Sequence, residues 1–584
     1  MAEDYTYKNY FEDLYRSYPG NRLKLLLMLA LRIASGSLTF LAVYLTGRIV
    51  DFFINYEQGQ VLTEFHWLVG GIFVVGVVKV ITRFYSKFFI QKAGMETQKH
   101  LRMRGFTKLL ELDLFWHEKE NTGNKVQRVQ SGSKSSHDFA RLLSNELAAF
   151  LIDFVGAIII FFFVGWKYVM FMLLFAAIYI AVEKYYENKL YKRSKDLHKK
   201  QETLSGKAHE AASNIMTIKS LGLHKRFKNS MHSHERQYEQ LWEKHKVTSQ
   251  NKMKAVNVLI TLGHAIFFLI VGYDVVAQAI TVGRIVVFTG YYTRFANGIS
   301  KYSNISLNLI QFKVKMQRLQ EILQLHEKPF DKQGKKNVPR GWKELRFDKV
   351  RFRYDQKDIL QGLDLTIRRN EKVGIVGGSG AGKSTLIKLL LRLYEPTNGA
   401  IRIGGRNLLD IKRYNLRNEV TVVSQDQEVF NMTLRENITL SQNGVDKKRL
   451  DYVIRASGLS KVIRKLPQGL LTIIGEKGYK LSGGERQRVS IARALYRNAS
   501  VIILDEATSH LDTRTERSIQ DAIDRIEGKT IIIIAHRLST LENVDRIVYM
   551  EHGRVKEQGT FRKLMEKRDR FYKLLQKQKL QVET

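Results

Sequence analysis

The stretch KVGIVGGSGAGKST, from Lys372 to Thr385, decides how the second half of this chain folds. Lys372 to Val376 reads as a short buried strand, and the mostly apolar run Leu386 to Leu393 reads as a helix. Between them Gly377, Gly382, Lys383 and Ser384 fit the spacing G-x-x-x-x-G-K-[ST]. Glycines at those positions let main-chain N–H groups close around a phosphate, and the start of the following helix adds a favourable dipole. The candidate phosphate-binding residues are therefore Gly377, Gly378, Ser379, Gly380, Ala381, Gly382, Lys383, Ser384 and Thr385. Lys383 is placed to meet the β- and γ-phosphates and Ser384 a magnesium ion. A chance glycine-rich turn is the bland alternative, and the flanking strand and helix argue against it.

Phosphate chemistry of this kind needs carboxylates nearby. Val501 to Leu504 is an apolar strand that ends in Asp505 and Glu506, whose side chains project differently at the strand's carboxyl end. Asp505 suits magnesium, directly or through water, and Glu506 is the candidate general base or water-orienting residue. Adjacent acids at a strand end are often just solvated. Downstream of a phosphate loop that explanation loses its force. Around both motifs, short β-rich runs alternate with helices, the pattern of a parallel α/β domain.

Upstream the composition changes character. The chain has 584 residues, of which 44% are hydrophobic and 26% charged, enough for more than one folded domain. It contains no cysteine, which excludes disulfides and thiolate metal sites. The formal net charge of +38 raises nucleic acid as a partner, but the basic residues crowd between apolar runs, from Arg83 to Arg141 and from Lys184 to Lys254. No nucleic-acid fold signature accompanies them. The cytoplasmic face of a membrane protein accounts for them better.

Four stretches are apolar enough to form the cores of spans across ~30 Å of hydrocarbon: Leu25 to Val50, Ala148 to Val164, Tyr168 to Val182 and Val256 to Val271. A fifth, Trp67 to Ile81, carries Lys79, and a sixth, Ile285 to Ile310, is too polar for hydropathy to identify. The opening residues lack the pattern of a removable signal peptide, so the expected insertion signals are the helices themselves. Asp51, Glu57 and Glu64 follow the first span with no Lys or Arg among them, whereas the segments after the second and fourth spans are densely basic. That asymmetry puts the basic segments and both termini in the cytoplasm. The basic segments are rich in Leu, Glu, Lys and Gln and read as helical continuations of the spans. The expected division is a membrane domain over residues 1–325, a polar linker over 326–340 around Pro329 and Pro339, and an α/β domain over 341–584.

One further run carries a family likeness. LSGGERQRVSIARAL, from Leu481 to Leu495, closely resembles the signature of ABC transporter ATPase domains, with Glu485 where glutamine is common. Ser482, Gly483 and Gly484 lie at a helix start, where a hydroxyl and bare N–H groups can meet a γ-phosphate. The other family elements follow in order. Tyr354 matches the aromatic that stacks on adenine, Gln425 the Q-loop residue that contacts magnesium, and His536 the switch histidine that touches the γ-phosphate. Gly475, Glu476, Lys477 and Gly478 resemble the exporter X-loop, and Ser509 to Asp512 the D-loop, with His510 where alanine is usual. Phe115 to Val129 and Ala212 to Phe227 resemble the two intracellular coupling regions.

The resemblance covers nearly the whole chain and implies an exporter-type half-transporter: six membrane helices extended into the cytosol, then a P-loop ABC ATPase domain. The polar sixth span rests on this resemblance. In such a family two copies close head to tail, each ATP lying between one P-loop and the other copy's signature, with ATP and Mg2+ as cofactors. An intact set of motifs in one chain favours a homodimer over a heterodimer of unlike halves. The implied function is ATP-driven export or flipping of a drug, lipid or peptide in a cell or inner membrane. An ATP-gated channel or a regulatory membrane subunit would share these parts. Arg32, Lys79, Asp153 and Arg294 lie in or near spans and should face protein or water, because facing lipid would cost each roughly 3 kcal/mol. Tyr291, Tyr292, Thr293, Arg294, Asn297, Ser300, Tyr302 and Asn304 make the sixth span read as a cavity wall suited to an anionic amphiphile. Pairing of Asp153 with one of the basic residues is the simpler alternative.

Overall fold

The computed structural model describes residues 5–58, 60–119, 122–325, 334–354, 356–424, 428–440, 444–475, 479–505, 523–524, 526–535 and 541–583. The chain forms two compact units. One comprises Met1–Leu109 with Gly123–Leu325, and the other Leu110–Thr122 with His326–Thr584.

The first unit is helical. It runs through α1 (Tyr7–Ser17), α2 (Arg22–Ile54) and α3 (Thr63–Glu111), and α4 (Leu114–Lys119) follows in the chain but packs with the second unit. Then come α5 (Thr122–Leu142), α6 (Ala148–Phe150), α7 (Gly156–Val164), α8 (Trp166–Ser213), α9 (Ile215–Ser220), α10 (His224–Val276), α11 (Val282–Ser300) and α12 (Tyr302–Leu323). None of the chain's five prolines falls inside these helices, so nothing removes the backbone hydrogen bonds that let α3, α8 and α10 run from apolar starts or ends into basic extensions. Among the described residues five helices are long and apolar enough to cross a membrane: those within Arg22–Ile54, Thr63–Glu111, Lys125–Val164, Trp166–Ser213 and His224–Val276. Trp67, Phe73 and Phe163 stand largely exposed on them, as lipid-facing side chains do.

Two details differ from the sequence expectations. The sixth span is not one helix from Ile285 to Ile310: α11 stops at Ser300, the Lys301 amide turns back to the Gly298 carbonyl at 3.1 Å, and α12 starts at Tyr302. The third span contains π-helical turns at Leu143–Leu147 and Leu151–Val155, on either side of α6. Glycines set the spacing of the bundle. A Cβ on Gly263 would fall 2.2 Å from the Tyr292 hydroxyl and 2.5 Å from Phe175 Cε2, so only glycine lets α10 come this close to its neighbours. The resulting core is aromatic, with Tyr292 stacked on Phe267 at 4.6 Å and Phe161 and Phe295 fully buried beside them.

The second unit is α/β. Strands β1 (Glu344–Tyr354), β2 (Lys357–Arg368), β4 (Asn398–Ile403) and β5 (Arg406–Asn407) form an antiparallel sheet in the order β2-β1-β4-β5. The larger sheet uses β3 (Lys372–Val376), β6 (Val420–Val423), β9 (Val501–Asp505), β10 (Thr530–Ile534), β11 (Arg546–Glu551) and β12 (Arg554–Gly559), in the order β12-β11-β3-β10-β9-β6. A short pair, β7 (Met432–Thr433) and β8 (Ile473–Ile474), completes the strands. Within the larger sheet β12 alone is antiparallel to its neighbour. Ile531 to Ile534 are buried on both faces, which is why β10 carries four consecutive isoleucines rather than an alternating pattern. In the segment ahead of β1, the amides of Lys335 and Lys336 both donate to the Asp410 carbonyl at 3.0 Å, and Lys412 donates back to Lys336 at 2.8 Å.

Candidate nucleotide site and membrane cavity

Parallel strands aim their carboxyl ends at one edge, and in this sheet three of those ends are flush. Ile534 of β10 pairs with Ile375 of β3 on one side and with Asp505 of β9 on the other. Asp505 therefore ends its strand two strand spacings, about 10 Å, from the strand that feeds the glycine-rich loop. Crevices of this kind, outside the carboxyl ends of parallel strands, are where α/β sheets bind ligands.

The loop between β3 and α13 (Lys383–Leu390) is held by close contacts. A Cβ on Gly377 would lie 2.2 Å from the Met550 carbonyl of β11, and one on Gly382, at φ +97°, would lie 2.7 Å from Leu360 Cδ2. Ser379 and Gly380 are exposed at the loop's tip, Ala381 and Thr385 are buried behind it, and Ser384 is exposed in the first turn of α13. Lys383 is buried and folds over the loop, its Nζ donating to the carbonyls of Gly377 at 2.8 Å and Gly378 at 3.1 Å. A cation is thus stored among main-chain groups that a phosphate could draw it from.

Ser482 caps the helix Gly483–Arg497, and the capping is reciprocal: Ser482 Oγ accepts from the Glu485 amide at 3.3 Å, while Glu485 Oε2 accepts from the Ser482 amide at 2.8 Å. Glu485 thereby has a local structural role that glutamine could also fill. Tyr354 ends β1, half-buried, with the rings of Phe352 at 4.8 Å and Tyr394 at 5.3 Å both edge-on to it. Gln425, Glu506 and His536, together with Glu476, Lys477, Gly478, Ser509 and His510, lie outside the described residues.

In the membrane unit, Arg32, Lys79, Asp153 and Arg294 all line one cavity of about 310 Å³, joined by Arg83 and Lys301. Asp153 sits in the second π-helical turn and is buried, and both its oxygens are used: Arg294 holds Oδ1, and Lys301 Nζ lies 3.0 Å from Oδ2. Gly298 makes this approach possible, since a Cβ there would meet Asp153 Cβ at 3.0 Å and the Phe154 amide nitrogen at 2.8 Å. Arg32 is buried and donates Nε to the Ser144 carbonyl at 2.9 Å. Lys301 and Arg83 carry no signal in the sequence that places them here, since Lys301 lies inside the polar sixth stretch and Arg83 at the start of a basic extension. The expected cavity wall is also narrower than its polar run: Tyr291 and Tyr292 turn away into the aromatic core, because they share a helix face with Phe295 and Phe288. The wall from this element is Arg294 and Lys301.

Two family models match the chain: ABC transporter transmembrane region over residues 25–298 and ABC transporter over residues 360–509. The chain is 32% identical over 524 residues to the ATP-dependent lipid A-core flippase of Ralstonia nicotianae, covering 87% of this chain and 86% of that protein. It is 30% identical over 495 residues to YgaD of Bacillus subtilis (strain 168), whose name describes a multidrug export ATP-binding/permease protein, covering 84% of this chain and 85% of that one. Among solved structures, a bacterial Atm1-family ABC exporter with ATP bound superposes with a TM-score of 0.82 at 27% identity, over 95% of this chain and 98% of that chain.

Proposed function

This chain belongs to the ABC transporter family as an exporter-type half-transporter whose ATP hydrolysis is coupled to transport, and from that premise we propose that two identical copies move an anionic amphiphile across a cell membrane. The observation that carries the substrate class is the cavity: five cationic side chains, Arg32, Lys79, Arg83, Arg294 and Lys301, surround the single carboxylate Asp153. An excess of positive charge in a low-dielectric surrounding is costly by itself and is relieved by an anionic group. Relatives named for lipid A-core flipping and for multidrug export fit amphipathic cargo, and a lipid, an acidic peptide or an acidic drug each meets the cavity's chemistry.

For the ATP site, the proposed roles follow the strand ends. Tyr354 stacks on adenine. Lys383 leaves its carbonyls to bind the β- and γ-phosphates, while the amides of Gly377, Gly378, Ser379, Gly380, Ala381 and Gly382 and the first turn at Ser384 and Thr385 enclose the phosphate chain. The donor set of Ser384 hydroxyl, Asp505 carboxylate and Gln425 amide oxygen fits Mg2+, a hard cation that takes oxygen ligands; when bound it would offset phosphate charge. Glu506 orients and deprotonates the attacking water, and His536 holds the γ-phosphate. Ser482, Gly483 and Gly484 complete the site of the other copy, so hydrolysis requires the dimer. ATP favours the closed pair and hydrolysis reopens it, which shifts the membrane helices between two states. The ATPase unit and both termini face the cytoplasm, in keeping with the basic extensions after the second and fourth spans.

Transport into vesicles tests the reading. Wild-type protein should accumulate an anionic lipid or peptide against its gradient, and Glu506→Gln should bind ATP yet stop accumulation. Equal, downhill flux in both proteins would instead establish a channel. An ATPase screen in lipid nanodiscs, against acidic and zwitterionic lipids, peptides and drugs, identifies the cargo.

A further inference from the structure

Glu118 has no place in the scheme above, yet both of its carboxylate oxygens are engaged. It lies on α4, the six-residue helix that groups with the ATPase unit, whose Leu114 and Phe115 pack on the core between the two sheets. Tyr394 Oη donates to Glu118 Oε2 at 2.6 Å, and Lys388 Nζ to Oε1 at 3.0 Å. Those two partners are neighbours of Tyr354. Tyr394 meets the Tyr354 ring edge-on at 5.3 Å and 88°, and Lys388 Nζ lies 5.8 Å from the Tyr354 ring centroid and 5.6 Å from that of Tyr394.

The electrostatics agree with the geometry. Burial alone would raise the Glu118 carboxyl, but hydrogen bonds from Tyr394 and Lys388 and the Lys388 charge hold it below the usual carboxylate range. Burial would lower Lys388, but the hydrogen bond to Glu118, the interactions with Tyr354 and the Glu118 charge together raise it above the usual lysine value. The pair is therefore ionised at neutral pH, and one carboxylate holds two side chains that meet the ring of Tyr354.

We infer that Glu118 is a positioning residue for nucleotide binding: by fixing Lys388 and Tyr394 it sets the ring of Tyr354 that receives the base. The inference rests on the proposed stacking of adenine by Tyr354. α4 is joined by a few residues to α3 on one side and α5 on the other. Occupancy of the base site and the hold on α4 are then linked, and by reciprocity whatever loosens α4 weakens base binding. A carboxylate that only anchored α4 would affect stability and leave nucleobase recognition alone.

A mutant cycle on the full-length protein in nanodiscs separates these roles. KM and kcat for ATP are measured for wild type, Glu118→Ala, Glu118→Gln, Tyr354→Ala and the Glu118→Ala/Tyr354→Ala double variant. Glu118→Ala should raise the ATP KM about fivefold with kcat within about twofold, and Glu118→Gln, which keeps one acceptor, should fall between. In the Tyr354→Ala background, loss of Glu118 should add nothing to KM, since its route of action is gone. A KM for Glu118→Ala equal to wild type, or an effect fully additive with Tyr354→Ala, overturns the inference while leaving the role of Tyr354 standing. Should Tyr354→Ala itself keep the wild-type KM, the stacking role falls and this inference with it. If Glu118→Ala does not fold, the same cycle run with Glu118→Gln decides.

Discussion

Lys301 Nζ lies 3.0 Å from Asp153 Oδ2, closing a contact between residues 148 positions apart in the sequence, while Arg294 takes the other oxygen of the same carboxylate. The pair fixes the sign of the cavity: one negative charge is already shared by two positive ones, so Arg32, Lys79 and Arg83 leave it strongly cationic. Two substitutions should therefore act in opposite directions. Arg294→Ala should raise the concentration of anionic lipid giving half-maximal ATPase stimulation about tenfold, and Asp153→Asn should lower it. Asp153→Asn should also destabilise the protein by about 1 to 2 kcal/mol, less than the ~3 to 5 kcal/mol of a fully buried broken pair, because Arg294 and Lys301 keep roughly a third of their surface in the cavity. Shifts of the same sign in both variants, read by titrating lipid in nanodiscs, would refute an anion-binding cavity.

Gly263 tests the packing of the aromatic core. Gly263→Ala places a methyl 2.2 Å from the Tyr292 hydroxyl, an overpacking that should cost about 1 to 3 kcal/mol and lower the unfolding temperature in detergent. Tyr292→Phe removes the atom first struck, and its hydroxyl has no hydrogen-bond partner among the described residues. The double variant should recover part of the loss. A double variant no more stable than Gly263→Ala alone would place the strain on Phe175 instead.

What could be read ahead of the structure follows from how local each signal is. The glycine-rich loop was legible because its glycine, lysine and serine spacing is complete within a few residues and a strand and a helix flank it. The contacts that require Gly377 and Gly382, from the Met550 carbonyl and Leu360, come from distant parts of the chain and were not legible. Most spans were legible because hydropathy sums over a whole helix. The π-helical turns around Asp153 left no mark, since an extra residue in a turn changes no composition. The contact made at Lys301 was hidden for a related reason: its partner is a carboxylate 148 positions away. Tyr291 and Tyr292 looked like cavity residues because their side chains carry hydroxyls, but a helix turns each residue by about 100°, and their shared face with Phe295 decided their burial. Glu118 was invisible among the charges of its neighbourhood, as its two partners come from a part of the sequence more than 250 positions on.

Asp51 shows how one of the acids that follow the first span is used. The N-cap residue of α11, Thr281, supplies no cap of its own; Asp51, at the end of α2, accepts from the Gly283 amide at 2.8 Å and from Thr281 Oγ1 at 2.9 Å. The cap is delivered from another helix, so it ties the ends of α2 and α11 together. Asp51→Ala should cost about 0.5 to 2 kcal/mol and speed hydrogen exchange at the amides following Thr281. Asp51→Asn keeps the acceptor and loses the charge at a helix N-terminus, so it should cost about 0.3 to 1 kcal/mol. Unchanged exchange in Asp51→Ala would show that the first turn of α11 is held by other groups.

Glu485 replaces the glutamine common in this motif, and its geometry separates fold from turnover. Its Oε2 receives the Ser482 amide at 2.8 Å while its own amide reaches Ser482 Oγ at 3.3 Å. Glutamine offers the same oxygen, so Glu485→Gln should keep the reciprocal cap and leave stability within about 0.5 kcal/mol, whereas Glu485→Ala should lose about 1 kcal/mol. The carboxylate adds a negative charge at a helix start proposed to face the γ-phosphate of the other copy, where a negative charge opposes a negative ligand. Removing it in Glu485→Gln should therefore lower the ATP KM about two- to fivefold with stability unchanged, while Glu485→Ala combines the lost charge with a frayed first turn. Thermal unfolding and ATPase kinetics on the same preparations check both parts. A Glu485→Gln protein that matched Glu485→Ala in stability would show that the side chain is held by something other than the Ser482 amide, and a raised ATP KM would show that the charge does not face phosphate.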